Sequence, residues 1–144
     1  MALKSLVLFS LMVLVLLVLA GARPSWPKFE NDHMDPGNGP FSPNYCNKEM
    51  ENRNISGKLF NTFVHQPVEA VQAVCLEPNI TCKNGQNNCH KSRSPMSITE
   101  CIREKGPSDY NTINKRRHIV IACEGNPLLP VHYDGSEEVS SEAR

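Results

Sequence analysis

The side chains in this chain with most chemistry to offer are its five histidines. His33 and His132 stand near opposite ends of its polar part. Two imidazoles in opposite protonation states can run general acid–base catalysis near neutral pH. Other familiar arrangements are missing from the sequence: it has no G-x-S-x-G elbow, no P-loop and no H-E-x-x-H helix. The cysteines Cys46, Cys75, Cys82, Cys89, Cys101 and Cys123 form an even set, which in a secreted chain reads as disulfides and leaves no thiol nucleophile. No C-x-x-C occurs, no paired histidines follow at finger spacing, and the cysteine before Cys89-His90 is too distant for haem attachment. No metal or cofactor is expected. Lys plus Arg is 15 and Asp plus Glu is 15, which excludes a strongly basic nucleic-acid coat and an acidic disordered tail protein.

The elements that must position these groups follow a leader. Leu6–Leu19 is apolar apart from Ser10, with Lys4 before it and Ala20-Gly21-Ala22 after it. The run is shorter than the roughly 20 residues of a membrane span, and it fits a signal peptide over 1–22. A secreted, extracellular chain with no membrane span is expected. The sequons at Asn54 and Asn79 suit glycosylation on its surface. Helices are expected at Pro27–His33, over 45–53, and at Val68–Val74 behind Pro67. Strand formers then gather at Phe60–His65, Met96–Cys101, Arg117–Cys123 and Leu129–Tyr133, separated by Gly, Asn and Pro. Helices early and strands late give an α+β domain. Spacing leaves the cysteine pairing open, except that Cys82 and Cys89 flank a short polar loop suited to closing on itself.

Several blocks, in order, resemble the pancreatic-type ribonucleases of the ribonuclease A superfamily. They are Lys28-Phe-Glu-x-x-His33-Met-Asp35, Lys58-x-x-Asn61-Thr62-Phe63-Val-His65 and Val71-Gln-Ala-Val-Cys75. Further along stand Cys82-Lys-Asn-Gly-Gln-x-Asn-Cys89, Met96-Ser-Ile-Thr, His118–Pro127 and Val131-His132-Tyr-Asp134. The resemblance runs from about Lys28 to Ser136. It implies three short helices packed on a bent, mostly antiparallel, disulfide-stapled sheet. The domain would span 23–136, with an acidic flexible tail over 137–144. Implied bridges are Cys46–Cys101, Cys75–Cys123 and Cys82–Cys89.

The resemblance also implies roles. His33 is similar to the base that deprotonates a ribose 2′-hydroxyl, His132 to the acid that protonates the 5′-oxygen, and Lys58 to the cation that steadies the phosphoryl charge. The substrate implied is single-stranded RNA, cut after pyrimidines through a 2′,3′-cyclic phosphate that is then hydrolysed. Asp134 resembles the carboxylate that orients His132. Asn61 and Thr62 resemble substrate contacts, with Thr62 reading the pyrimidine. Gln86, Asn88 and Glu124 resemble the set around the following base, and Lys28 and Lys83 outer phosphate contacts. A monomer and recognition by the cytosolic ribonuclease inhibitor are further implications.

The chain departs from the family pattern in places. A fourth bridge is usual, but Gly57 and the Asn111-Thr-Ile-Asn run stand where its halves would be, which suggests a loosened backbone at Lys58. Asp32 occupies the place of a usual Gln, where a carboxylate repels phosphate and favours a charged His33. Asn31 replaces an Arg and Tyr133 a Phe. Glu137, Glu138 and Glu142 add negative charge. These departures support a second reading, a secreted binding or signalling protein on the ribonuclease fold whose activity has decayed.

Overall fold

The computed structural model describes residues 24–104 and 109–140. The expected signal segment and residues 141–144 of the expected tail lie outside them. Helix α1 (Trp26–His33) starts where Ser25 Oγ accepts from the Lys28 amide at 3.3 Å, with Pro27 in the first turn, where its missing N–H breaks no helical bond. Phe29 is buried in the core, and His33 follows one turn later on the same face. Helix α2 (Tyr45–Asn52) buries Cys46 and Met50, again one turn apart. Helix α3 (Val68–Ala73) opens after Pro67 and runs into a 3-10 turn at Val74–Leu76, with Val71 and Val74 buried as their spacing predicts.

Five strands follow an antiparallel plan: β1 (Phe60–Val64), β2 (Cys89–Lys91), β3 (Met96–Ile102), β4 (Asn111–Glu124) and β5 (Leu129–Glu137). Strand β4 is shared. Its first half, Asn111–Arg117, pairs with β3, which pairs in turn with β1. Its second half pairs with β5 and β2, and the β5 ladder shifts register after Val120 and after Ala122. Such irregularities sharpen twist and bend the sheet. One core lies where α1 and α3 meet the β3–β4 surface; a second packs α2 against Phe63 and Tyr110.

The expected α+β architecture is present, but two strands exceed their sequence signal. Strand β4 begins well before Arg117, because Asn111–Arg116 is held by the β3 ladder although its side chains are polar apart from Ile113 and mostly exposed. Strand β5 continues past Tyr133 to Glu137, which pairs with His118 in the ladder and with Lys91 Nζ at 3.0 Å. Strand β2 is too short to show a period. The disulfides are those the resemblance implies. Cys46–Cys101 ties α2 to β3, Cys75–Cys123 ties the 3-10 turn to β4, and Cys82–Cys89 closes the loop before β2. Among the described residues no helix is long and apolar enough to cross a membrane.

Candidate active site

His33 reaches the site because Phe29 anchors α1 one turn earlier. Its ring packs against Phe29 at 5.1 Å and Tyr133 at 5.4 Å between centroids. Its Nδ1 lies 2.8 Å from the Thr62 carbonyl oxygen of β1. A carbonyl can only accept, so the proton sits on Nδ1 and Nε2 is left as the basic atom. Burial pushes the His33 pKa down to about 4, helped by the Lys58 and His132 charges and opposed by the Thr62 hydrogen bond and the Asp32 carboxylate. The adjacent Asp32 alone would shift the ring the other way, toward its charged form. Desolvation outweighs that neighbour, so the ring is neutral at pH 7.

His132 projects from β5, half exposed. Its Nε2 lies 3.3 Å from Asp134 Oδ1, which places a proton on Nε2 and turns Nδ1 to other work. Asp134 is itself held, since its Oδ2 accepts from the Lys83 amide at 3.1 Å. That bond joins β5 to the Cys82–Cys89 loop.

Lys58 precedes β1. Its Nζ donates to Asn61 Oδ1 at 3.0 Å, and Asn61 Nδ2 donates to the Asp32 carbonyl at 2.8 Å. Asn61 is 2% exposed, and its side chain links Lys58 to α1. Burial lowers the Lys58 pKa, as does Lys28, while Asp32 opposes. The loosened backbone expected at Gly57 is not what the structure shows: the Lys58 amide donates to the Ile55 carbonyl at 3.1 Å, and its own carbonyl accepts from the Tyr110 hydroxyl.

A cleft of about 160 Å³ brings Lys28, Asp32, His33, Lys58, Val131 and His132 together. A larger cavity, about 320 Å³, lies beside Phe41 and His65. There His65 Nδ1 meets the Asp35 carbonyl at 2.8 Å and Nε2 meets Thr99 Oγ1 at 2.6 Å, leaving no ring nitrogen for a substrate.

The remaining sequence candidates divide. Thr62 sits on β1 with its hydroxyl buried and without a hydrogen-bond partner. Gln86 and Glu124 are exposed, and Asn88 is tied to β4, its Nδ2 donating to the Cys123 carbonyl at 3.4 Å. Glu124 follows Cys123 directly, so the Asn88 bond brings loop and strand end together. Lys83 is exposed, with its ammonium close to Gly135. Asn79 and Asn54 are exposed, as glycan acceptors require. Cys82, Cys89 and Asp134 converge closely enough to suggest a metal set, but the two sulfurs are bonded to each other. Sequence reasoning did not find Tyr110 and Arg103 as supports of the Lys58 segment. Their aromatic and guanidinium character was the only signal.

Three helices on a bent antiparallel sheet with three disulfides define the class, a small cross-linked α+β domain. The family model described as pancreatic ribonuclease matches residues 24–134. The chain is 52% identical to the pancreatic gamma-type ribonuclease of Rattus norvegicus, across 92% of this chain and 97% of that one. It is 50% identical to the pancreatic ribonuclease of Lemur catta, across 96% and 97%, and 52% identical to that of Equus caballus, across 79% and 95%. The chain belongs to the pancreatic ribonuclease family and is a pancreatic-type endoribonuclease.

Proposed function

We propose that the chain cleaves single-stranded RNA on the 3′ side of pyrimidines, in two steps run by His33 and His132. The observation that carries this reading is the pair of complementary tethers in one cleft. His33 gives Nδ1 to Thr62 and keeps Nε2; His132 gives Nε2 to Asp134 and keeps Nδ1. In the first step His33 Nε2 takes the 2′-hydroxyl proton as that oxygen attacks phosphorus. His132 Nδ1–H protonates the departing 5′-oxygen, and a 2′,3′-cyclic phosphate forms. Water then opens the ring with the roles exchanged. Lys58 stabilises charge on the non-bridging oxygens. The 2′-hydroxyl requirement restricts the substrate to RNA. Thr62 selects the pyrimidine, its hydroxyl able both to donate and to accept. Asp134 and Asn61 act as positioning residues, while Gln86, Asn88 and Glu124 receive the following base.

The chain acts outside the cell as a monomer after removal of residues 1–22, with 23–136 as the domain and the remainder as an acidic tail. Asn54 and Asn79 carry the glycans, and the cytosolic ribonuclease inhibitor is the protein partner the family suggests. The deciding experiment is cleavage of a pyrimidine-rich RNA by the purified protein beside His132→Ala. Cyclic phosphate ends should appear with the parent and fall by at least about a hundredfold in the variant. Equal activity in both would refute the assignment.

A further inference from the structure

We propose that the Asp32 carboxylate is a built-in occupant of the cation cradle, so that a phosphate entering the cleft must compete with it for Lys28 and Lys58. The proposal rests on the cleft assigned above as the place where phosphate binds. Asp32 is 3% exposed, unusual for a carboxylate on a short surface helix. Its Oδ2 lies 2.9 Å from Lys28 Nζ and 3.9 Å from Lys58 Nζ, and its Oδ1 accepts from Asn31 Nδ2 at 3.0 Å. One oxygen therefore faces two ammonium groups, as a phosphoryl oxygen would. Burial alone would raise the Asp32 pKa, but the hydrogen bonds from Lys28 and Asn31 and the charges of Lys28 and Lys58 outweigh it and hold it below the usual carboxylate value. The occupant is anionic wherever the enzyme would work.

Two features make this a competition and not a scaffold. Lys58 also donates to Asn61 Oδ1 at 3.0 Å, so the cation has an anchor separate from the carboxylate. The Lys28 side chain is 57% exposed on a long flexible stem and can turn from Asp32 to a bound phosphate. The cleft carries two lysine charges less one carboxylate. An amide at position 32 removes that subtraction and still accepts a hydrogen bond from Lys28.

The test compares the parent protein with Asp32→Asn and Asp32→Gln, using inorganic phosphate as the probe by titration calorimetry at low salt. Phosphate should bind each variant about tenfold more tightly, and the advantage should shrink as salt rises. With uridylyl-3′,5′-adenosine as substrate, KM should fall by a similar factor with kcat changed less, the pattern of an interaction gained in ground and transition states alike. Unchanged phosphate affinity in variants that keep three disulfides and a cooperative unfolding transition overturns the proposal, whatever the turnover. Tighter phosphate binding without cleavage by any form supports the cradle and removes the catalytic reading instead. If neither variant folds, the Asp32 carboxyl resonance of the parent is followed during phosphate addition. It should shift as its lysines change partner, and a stationary resonance overturns the proposal.

Discussion

The Tyr110 hydroxyl donates to the Lys58 backbone carbonyl, and the Ser56 carbonyl lies 3.1 Å from the same oxygen. Arg103 completes the arrangement. Its Nη2 donates to the Ser56 carbonyl at 2.9 Å, and its guanidinium lies over the Tyr110 ring at 5.4 Å. Gly57 sits between the two carbonyls, where the resemblance places half of a fourth disulfide, with the other half just after Tyr110. Hydrogen bonds thus tie the two segments that a covalent bridge would otherwise join. Lys58 is fixed twice, through its carbonyl by Tyr110 and through its ammonium by Asn61.

Tyr110→Phe should therefore lower stability by about 1 kcal/mol, the usual net worth of one buried hydrogen bond. Its kcat/KM should drop several-fold as Lys58 gains freedom. Gly57→Ala serves as the contrast, because a Cβ there meets nothing within 4 Å. It should be neutral or stabilising by up to about 1 kcal/mol through the unfolded chain. Urea midpoints and initial rates report both. Wild-type values for Tyr110→Phe would show that the hydroxyl restrains nothing.

The contrast between Tyr110 and His33 shows what sequence conveys here. His33 was legible because α1 carries its own instructions: Ser25 and Pro27 start the helix, and Phe29 fixes which face is inside. The disulfides and three helices were legible for similar local reasons or through the family blocks. The polar half of β4 was not, since only its partner β3 makes it a strand. The Tyr110 tether was equally hidden, because it joins carbonyls to a side chain distant in sequence. The effect of Asp32 on His33 is overestimated from sequence because Asp32 is adjacent and Phe29 is one turn away, whereas Tyr133, which closes the other side of the ring, is brought there only by the fold.

The lowered His33 pKa makes a prediction about pH. The proposed base must be neutral, so the acid limb of kcat/KM should fall near pH 4 instead of near 6.5. Stability follows the same group. The unfolded ring takes up a proton near 6.5 and the folded ring only near 4, so stability is lost as pH falls through that window. His65, also lowered chiefly by burial, adds a loss of the same sign. Replacing His33 with Gln should flatten part of the decline measured by denaturant titration at successive pH values. An acid limb that stays near 6.5 would contradict the buried, neutral ring.

The three disulfides should contribute unequally. By the loop-entropy estimate, Cys46–Cys101, separated by 55 residues, stabilises by about 4 kcal/mol, and Cys82–Cys89, separated by 7, by about 2.5 kcal/mol. Activity should rank them the other way. The small loop holds the Lys83 amide that orients Asp134, and Asn88 is tied to β4 from the same loop. Serine pairs at 82 and 89 should thus lose less stability but more kcat/KM than serine pairs at 46 and 101, assayed well below either melting temperature. Thermal melts and rates on one dinucleotide decide between this order and its reverse.

The last prediction concerns two hydroxyls. Among the described residues, Thr62 Oγ1 and the Tyr133 phenol oxygen are the buried side-chain atoms without a hydrogen-bond partner. Burial pushes the Tyr133 pKa up against the opposing pull of the Ser136 and Thr62 hydroxyls beside it, so the phenol stays neutral, and the Ser136 hydroxyl accepts from Arg117 Nε at 2.6 Å. An unsatisfied buried polar group costs about 1–3 kcal/mol, and a group kept at that cost calls for a reason. Thr62 has one in the proposed function: a pyrimidine edge would supply its partner. Tyr133 has none there, because its ring alone supplies the packing against His33. Tyr133→Phe should therefore stabilise the protein by about 1 kcal/mol and leave the pyrimidine preference intact. Thr62→Ala should relieve the same kind of penalty yet lower the ratio of uridylyl to adenylyl dinucleotide cleavage by about tenfold or more, close to 1.4 kcal/mol of lost discrimination. Urea midpoints and paired rates separate the two hydroxyls. If Tyr133→Phe destabilises, the phenol is bonded in solution; if it also erodes the preference, Tyr133 reads the base together with Thr62.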